Sequence, residues 1–232
     1  MNKFRLLELS PYKKTMFIDA DCLLVKNDID SYWQRASGSF FAITGHKRQS
    51  GWWKGRTIQS IIADQRADYL VQMNGGVFYF DKSRKSQAFF RDLNAFYHDR
   101  KESLRVHTHN GTRHYSDELF LGVFLGLRHM EPIALEGRDA WMVSTWRALY
   151  CDFHPGTGVS ILVKPAGYLF GSTALPLGWR RWSPTFAHFV SLKPRQLYVE
   201  LARQFRAAAA SIVMTPPSIS RQASLEYAMV PC

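Results

Sequence analysis

Cysteine is scarce in this chain. Cys22, Cys151 and Cys232 stand far apart, no C-x-x-C pair occurs, and if two of them bonded the third would stay unpaired. That excludes a disulfide framework and a thiolate zinc site, and it points to a reducing, cytoplasmic setting. Long apolar runs are also missing: none approaches the ~20 residues that span a bilayer, which leaves only peripheral contact with a membrane surface. The N-terminal MNKFRLLELSPYKK is broken by charges and by Pro11, so it does not read as a signal peptide. No internal repeat and no long low-complexity segment occurs. Acids are in deficit, with 19 Asp and Glu against 30 Lys and Arg, for a formal net charge of +11. Such a balance favours anionic partners, whether nucleic acid, membrane surface or phosphorylated small molecules, or is simply a basic surface. The signature motifs of nucleic-acid binders are absent, so no specific nucleic-acid partner is expected. Nothing in the sequence sets the oligomeric state.

What is present is a chain of 232 residues, 46% hydrophobic, long enough to bury the core of one generous domain. KTMFIDADCLLV reads as a buried strand ending at two acids, followed by a short extended segment. Asn27 or Asp28 offers a cap for a short helix. Residues 39–45 read as a second strand, and HKRQSGWWKGR as a basic, aromatic loop. YLVQMNGGVFYFDKS reads as strand, Gly-Gly turn, strand. Phe89, Phe90, Leu93, Phe96 and Tyr97 have helical spacing. Ser116 is the natural cap of a helix with Asp117 and Glu118 in its first turn. EPIALEG, WMVST and TFAHFVS read as strands, residues 147–184 resist assignment, and Pro194 opens a last helix. From about Ala210 onward Pro, Ser and scattered apolar residues lose all period, which reads as a mobile tail. Strands alternating with helices argue α/β.

Asp19 and Asp21 stand at the carboxyl end of the first strand, where open α/β sheets bind ligands. If the chain stays extended there, both side chains point the same way. Two carboxylates on one side repel unless a cation lies between them, and Mg²⁺ or Mn²⁺ takes such oxygens together with substrate phosphates. The same spacing also fits a strand end with one solvated Asp. Trp52 and Trp53 among Lys47, Arg48, Lys54 and Arg56, and again GWRRW at 178–182, combine aromatic faces with cationic donors. This suits sugar stacking, nucleic acid, or a partly packed surface loop. His107, His109 and His114 match no strong zinc spacing.

LSPYKKTMFIDADCLLVKNDIDSYW resembles the strand, D-x-D and following turn of the glycogenin-like family of retaining glycosyltransferases, including Asn27, Ile29 and Asp30. MNGGVFYFDKS is similar to that family's Asn–small–Gly segment, HYSDELFLGVFL to its Asp-containing helix start, and FAHFVSLKP to its late His…Lys-Pro motif. These four ordered motifs fall within residues 5–206. The sequence departs from the pattern at Glu118, where Gln is frequent, and at Ser191, where Gly is common. Its His-to-Lys interval is also one residue short. The resemblance implies a GT-A fold, a mixed sheet flanked by helices, over residues 1–206, with a tail over 207–232. Only 18 residues precede Asp19, so it also implies that most of the family's N-terminal Rossmann-like half is missing.

The resemblance further implies transfer of a hexose from a nucleotide-sugar, UDP-linked, to a saccharide or other acceptor, with Mn²⁺ or Mg²⁺. Asp19 would face the ribose or the metal, Asp21 would ligate it, and His188 would complete the protein ligands. Lys193 would meet the diphosphate. Asn74, Gly75 and Gly76 would line the sugar pocket, and Asp117 would bind donor-sugar hydroxyls; apart from the resemblance, the aromatic faces of Trp52 and Trp53 are the candidates to meet the acceptor. No residue announces itself as a nucleophile. Read without the family, His188 between Phe186 and Phe189 is equally a core histidine, Asn74–Gly76 a hairpin turn, Asp117 a favourable helix-start acid, and Lys193 a solvated residue. The alternative at the level of function is an inactive fragment or a glycan- or anion-binding module.

Overall fold

The computed structural model describes residues 2–107, 113–134, 139–154, 157–167 and 176–214. It is a mixed α/β protein. A 3₁₀ turn at Asn2–Arg5 runs into α1 (Leu6–Leu9), then β1 (Lys14–Ile18), β2 (Cys22–Leu24) and α2 (Ile29–Ala36). Next come β3 (Phe41–Arg48), the hairpin β4 (Trp52–Trp53) and β5 (Arg56–Thr57), α3 (Ile58–Gln65), β6 (Leu70–Asp81) and α4 (Arg84–Arg100). The hairpin β7 (Val106–His107) and β8 (Arg113–His114) precedes α5 (Asp117–Leu127) and β9 (Ile133–Ala134). The chain continues through β10 (Asp139–Ser144), β11 (Tyr150–His154), β12 (Val159–Pro165), β13 (Trp179–His188) and α6 (Arg195–Met214).

Two sheets carry the molecule. The first has the order β1-β6-β3-β9 and is antiparallel except for the β3/β9 pair. The second has the order β10-β13-β12-β11, with β2 also paired to β13, and its β10/β13 pair is parallel. β13 is the hinge of this sheet. Its first half pairs with β12, and its second half lies between β10 and β2.

The period-two alternation of β6 builds two cores at once. Phe78 and Phe80 face α3, α4 and α5, where Phe41 stacks on Phe89 at 4.6 Å and Phe80 meets Phe90 edge-on at 5.2 Å. Val77 and Tyr79 face the opposite way, into a cluster with Tyr32, Trp141, Met142 and Phe186 that joins the sheets. A third cluster, with Phe153, Leu162, Phe189 and Leu201, seats α6 on the second sheet. The capping residues act as their chemistry dictates. Thr57, Ser83 and Ser116 each accept a bond from the backbone N–H three residues on. Asp28 does not cap α2; its carboxylate accepts from the Thr185 hydroxyl at 2.6 Å instead. α5 is buried from Leu119 to Gly126, as an all-apolar helix must be.

Several expectations need correction. Residues 70–81 form one strand, not two joined at a Gly-Gly turn. The glycines sit in a bulge: Met73 lies opposite Gly45 and Phe78 opposite Ile43, so the β6 residues between them bow away from β3. The basic loop is in part the β4/β5 hairpin. Residues 147–184 hold β11, β12 and the start of β13, paired in chain order, β11 with β12 and β12 with β13. The last helix passes the expected start of the tail and ends at Met214; residues 215–232 lie outside those described.

α5 approaches β6 closely because Gly122 has no side chain. A Cβ there would lie 2.4 Å from the Val71 carbonyl oxygen and 2.9 Å from the Trp53 ring. Gly122→Ala is therefore expected to cost about 1–3 kcal/mol, the usual penalty of overpacking, read as a lower urea midpoint at unchanged slope.

Candidate functional site

The carboxyl ends of β1, β10 and β13, the bulge of β6 and the N-terminus of α5 converge on one cleft of about 610 Å³. Asp19, Asn74, Asp117, His188 and Lys193 all line it. The size is that of a small-molecule site.

Between β1 and β2 the chain does not stay extended. The Cys22 N–H donates to the Asp19 carbonyl at 2.9 Å, closing a turn, and the Asp19 N–H donates to the Gly76 carbonyl at 2.8 Å. The turn sends the two carboxylates to different partners, which corrects the expectation that they face one cation side by side. Asp19 Oδ2 accepts from Lys3 Nζ at 2.8 Å. Asp21 Oδ1 lies 3.1 Å from His188 Nε2, while the Asp21 carbonyl accepts from the Phe189 N–H at 2.8 Å and so fixes β13 against the turn.

His188 is buried, with a polar neighbour at each ring nitrogen. Nδ1 lies 2.9 Å from Asn74 Oδ1. That atom is the amide oxygen, since it also accepts from the Gly76 N–H at 3.1 Å, so Nδ1 must carry the proton. Nε2 of the same ring lies 3.1 Å from Asp21 Oδ1, a contact that either a proton on Nε2 or a cation held by both atoms would satisfy. Orientation of a histidine through its second nitrogen is the usual support for a metal-binding imidazole. Among the described residues, ligand atoms of Asp21, Cys22 and His188 lie within 4.8 Å of one another. Asp19 is not in that cluster. Burial, and then the charges of Asp19 and Asp21, push the Cys22 thiol up to about 12, so without a metal it keeps its proton. Gly76 allows this crowding: a Cβ there would come within 3.1 Å of His188 Nδ1 and 3.2 Å of Cys22 Sγ.

Lys3 was not singled out by the sequence, and it is central. Its ammonium donates to Asp19 and to the Gly75 carbonyl at 3.1 Å, and pairs with Asp117 Oδ2 at 2.9 Å. The buried Phe4 packs edge-on to Tyr97 at 5.7 Å and anchors the turn that carries it. Burial alone would lower the Lys3 pKa, but the Asp117 charge and the bonds to both carboxylates outweigh it and hold it above the ordinary value. Glu118 accepts from the Gly75 N–H at 3.1 Å and pairs with Lys54. Lys193 is exposed at the rim, and Thr145 ties that rim to β13 by donating to the Lys193 carbonyl at 2.8 Å. Phe4, Leu6 and Leu7 mark a helical turn in the sequence, but Lys3 meets its partners only through the tertiary fold.

Trp52 is 72% exposed, whereas Trp53 is buried in the main core against α5. The expectation that Trp53 meets an acceptor is therefore corrected; only Trp52 of the pair presents a face. His114 lines the cleft, the side chain of His107 is not described, and His109 lies outside the described residues. Among the described residues no helix is long and apolar enough to cross a membrane. Comparison of the chain with protein-family models, with curated proteins and with solved structures gave no match.

The raised Lys3 pKa fixes a sign. Its contribution to stability is fully present below the ordinary 10.5 and is lost as pH climbs through the raised value. Lys3→Met is expected to be less stable than the parent by a constant margin between about pH 7 and 9, and the margin should shrink above 10.5. Urea titrations across that range would show it; a margin independent of pH would remove the ammonium from the account.

Proposed function

We propose that the cleft is the donor site of a metal-dependent hexosyltransferase with a GT-A arrangement, using a UDP-linked sugar. The observation that supports this best is the His188 ring held between Asn74 Oδ1 and Asp21 Oδ1, a pairing that a cation completes. Asp21 and His188 fit a divalent first-row ion in donor type. Bound there, Mn²⁺ or Mg²⁺ would neutralise diphosphate charge. Asn74 acts as a positioning residue, holding the imidazole in one tautomer. Asp19 and Asp117 serve as acceptors for sugar hydroxyls, and Lys3 offsets their mutual repulsion. Lys193 at the rim meets the diphosphate, where a cation stabilises the leaving group as its charge develops. In the transfer, the acceptor hydroxyl oxygen bonds to the anomeric carbon while the carbon–oxygen bond to the diphosphate breaks. The bonding electron pair leaves with UDP, and the hydroxyl proton passes to the departing phosphate oxygen. Retention of configuration follows from the family resemblance. A non-catalytic glycan- or anion-binding module is the second reading, favoured by the exposed indoles of Trp52 and Trp146 beside Arg48.

Thermal melting with UDP, with Mn²⁺ and with both tests the reading. A ligand bound only by the folded chain stabilises it by ~2.7 kcal/mol at a hundredfold excess over Kd, and the expected shift requires both components. Asp21→Ala should abolish the shift and metal-dependent turnover together; full turnover in that variant would refute the assignment. Asn74→Ala should weaken Mn²⁺ binding about 10–100-fold, the usual cost of losing a histidine's supporting partner, by titration calorimetry.

A further inference from the structure

A second cleft, of about 740 Å³, opens beside the first and shares Trp146 with it as a wall. Its chemistry is different. Arg48, Arg147 and Lys164 line it, and no carboxylate does among the described residues. Two indoles face it, Trp52 at 72% and Trp146 at 55% exposure. Exposed indoles on one cleft wall offer faces on which a sugar ring can stack. The cations are placed by structure. Arg48 Nε donates to Gln72 Oε1 at 3.1 Å, and the Arg147 guanidinium lies over the Trp146 ring at 4.1 Å. Arg147 also holds φ at +61°, a strained conformation for a residue with a side chain. Lys164 Nζ donates to the Ser144 carbonyl at 2.7 Å, and burial pushes its pKa down to about 8. A charge so poorly compensated gains from an incoming anion.

We propose that this second cleft binds an anionic saccharide, a sugar ring bearing a phosphate or carboxylate, and that this is the acceptor. The ring stacks on Trp52 and Trp146, and the acid group meets Arg48, Arg147 and Lys164. The shared Trp146 wall brings a hydroxyl of that ring toward the donor cleft. The acceptor role rests on the transferase reading above; the ligand class rests on this cleft alone. A single-stranded nucleic acid would use the same groups along a groove that tracks its backbone, and competition with an oligonucleotide separates it from a sugar.

Tryptophan fluorescence and calorimetry on the full chain, at fixed ionic strength, would compare glucose 6-phosphate, trigalacturonic acid, neutral maltotriose and a dT oligonucleotide. At least one anionic sugar should bind tenfold or more tightly than maltotriose, and which one binds separates phosphate from carboxylate recognition. Trp52→Ala and Lys164→Met should each weaken that binding roughly tenfold, while circular dichroism shows both variants folded. Equal binding of neutral and anionic sugars overturns the proposal. So does affinity unchanged in Trp52→Ala, or tighter binding of the oligonucleotide in competition with the sugars. Asp21→Ala separates the two levels. Sugar binding that persists in it, in a protein whose parent shows no response to UDP with Mn²⁺, overturns the acceptor role and leaves an anionic-glycan site.

Discussion

Between Met73 and Phe78, β6 leaves its register with β3, and the candidate site depends on how that bow is held. Gly75 and Gly76 let the strand pass close to α5, to Cys22 and to His188. The carbonyls and amides freed from the sheet are then taken by side chains and by the turn: Gly75 by Lys3 and Glu118, Gly76 by Asn74 and Asp19. Buried backbone polar groups must find partners. Here the partners are the side chains that line the cleft, so the satisfaction of a bulge and the assembly of a site are one event.

The bulge also sorts the charges. Lys3, Asp19 and Asp117 meet on one side of it, and Asn74, His188 and Asp21 on the other. Asp19 and Asp117 share the Lys3 ammonium while Asp21 faces His188, so the pair in D-x-D does not behave as a pair. This division comes from the turn closed by the Cys22 N–H on the Asp19 carbonyl.

Much of the local structure was legible because it is written in local chemistry. The cap at Ser116, the helical stripe of Phe89, Phe90 and Leu93, and the strand before Asp19 follow from hydroxyl geometry and apolar period alone. β11 and β12 were not legible, because the Gly, Pro and Trp around them mask the alternation of strands, although β11 and β12 pair as a hairpin and β12 then pairs with β13. Gly75 and Gly76 signalled a departure from regular strand, yet a turn and a bulge use the same residues, and only cross-strand pairing tells them apart. The site followed the same rule. Asp19, Asn74, Asp117, His188 and Lys193 carry sequence signals and do line one cleft. Lys3 carries none, because a lone lysine on a terminal turn is ordinary until its three acceptors are in place. Trp53 misled because indole in a basic stretch looks the same whether it faces water or a helix glycine.

Trp146 stands between the two clefts, following a strand end that Thr145 ties to β13 and to the Lys193 carbonyl. A wall with two faces cannot be ordered from one side only. Whatever factor a ligand in the first cleft lends to binding in the second through this indole, the second must return to the first. Were both clefts to take ligands, the order of addition would be a property of rates rather than of affinities.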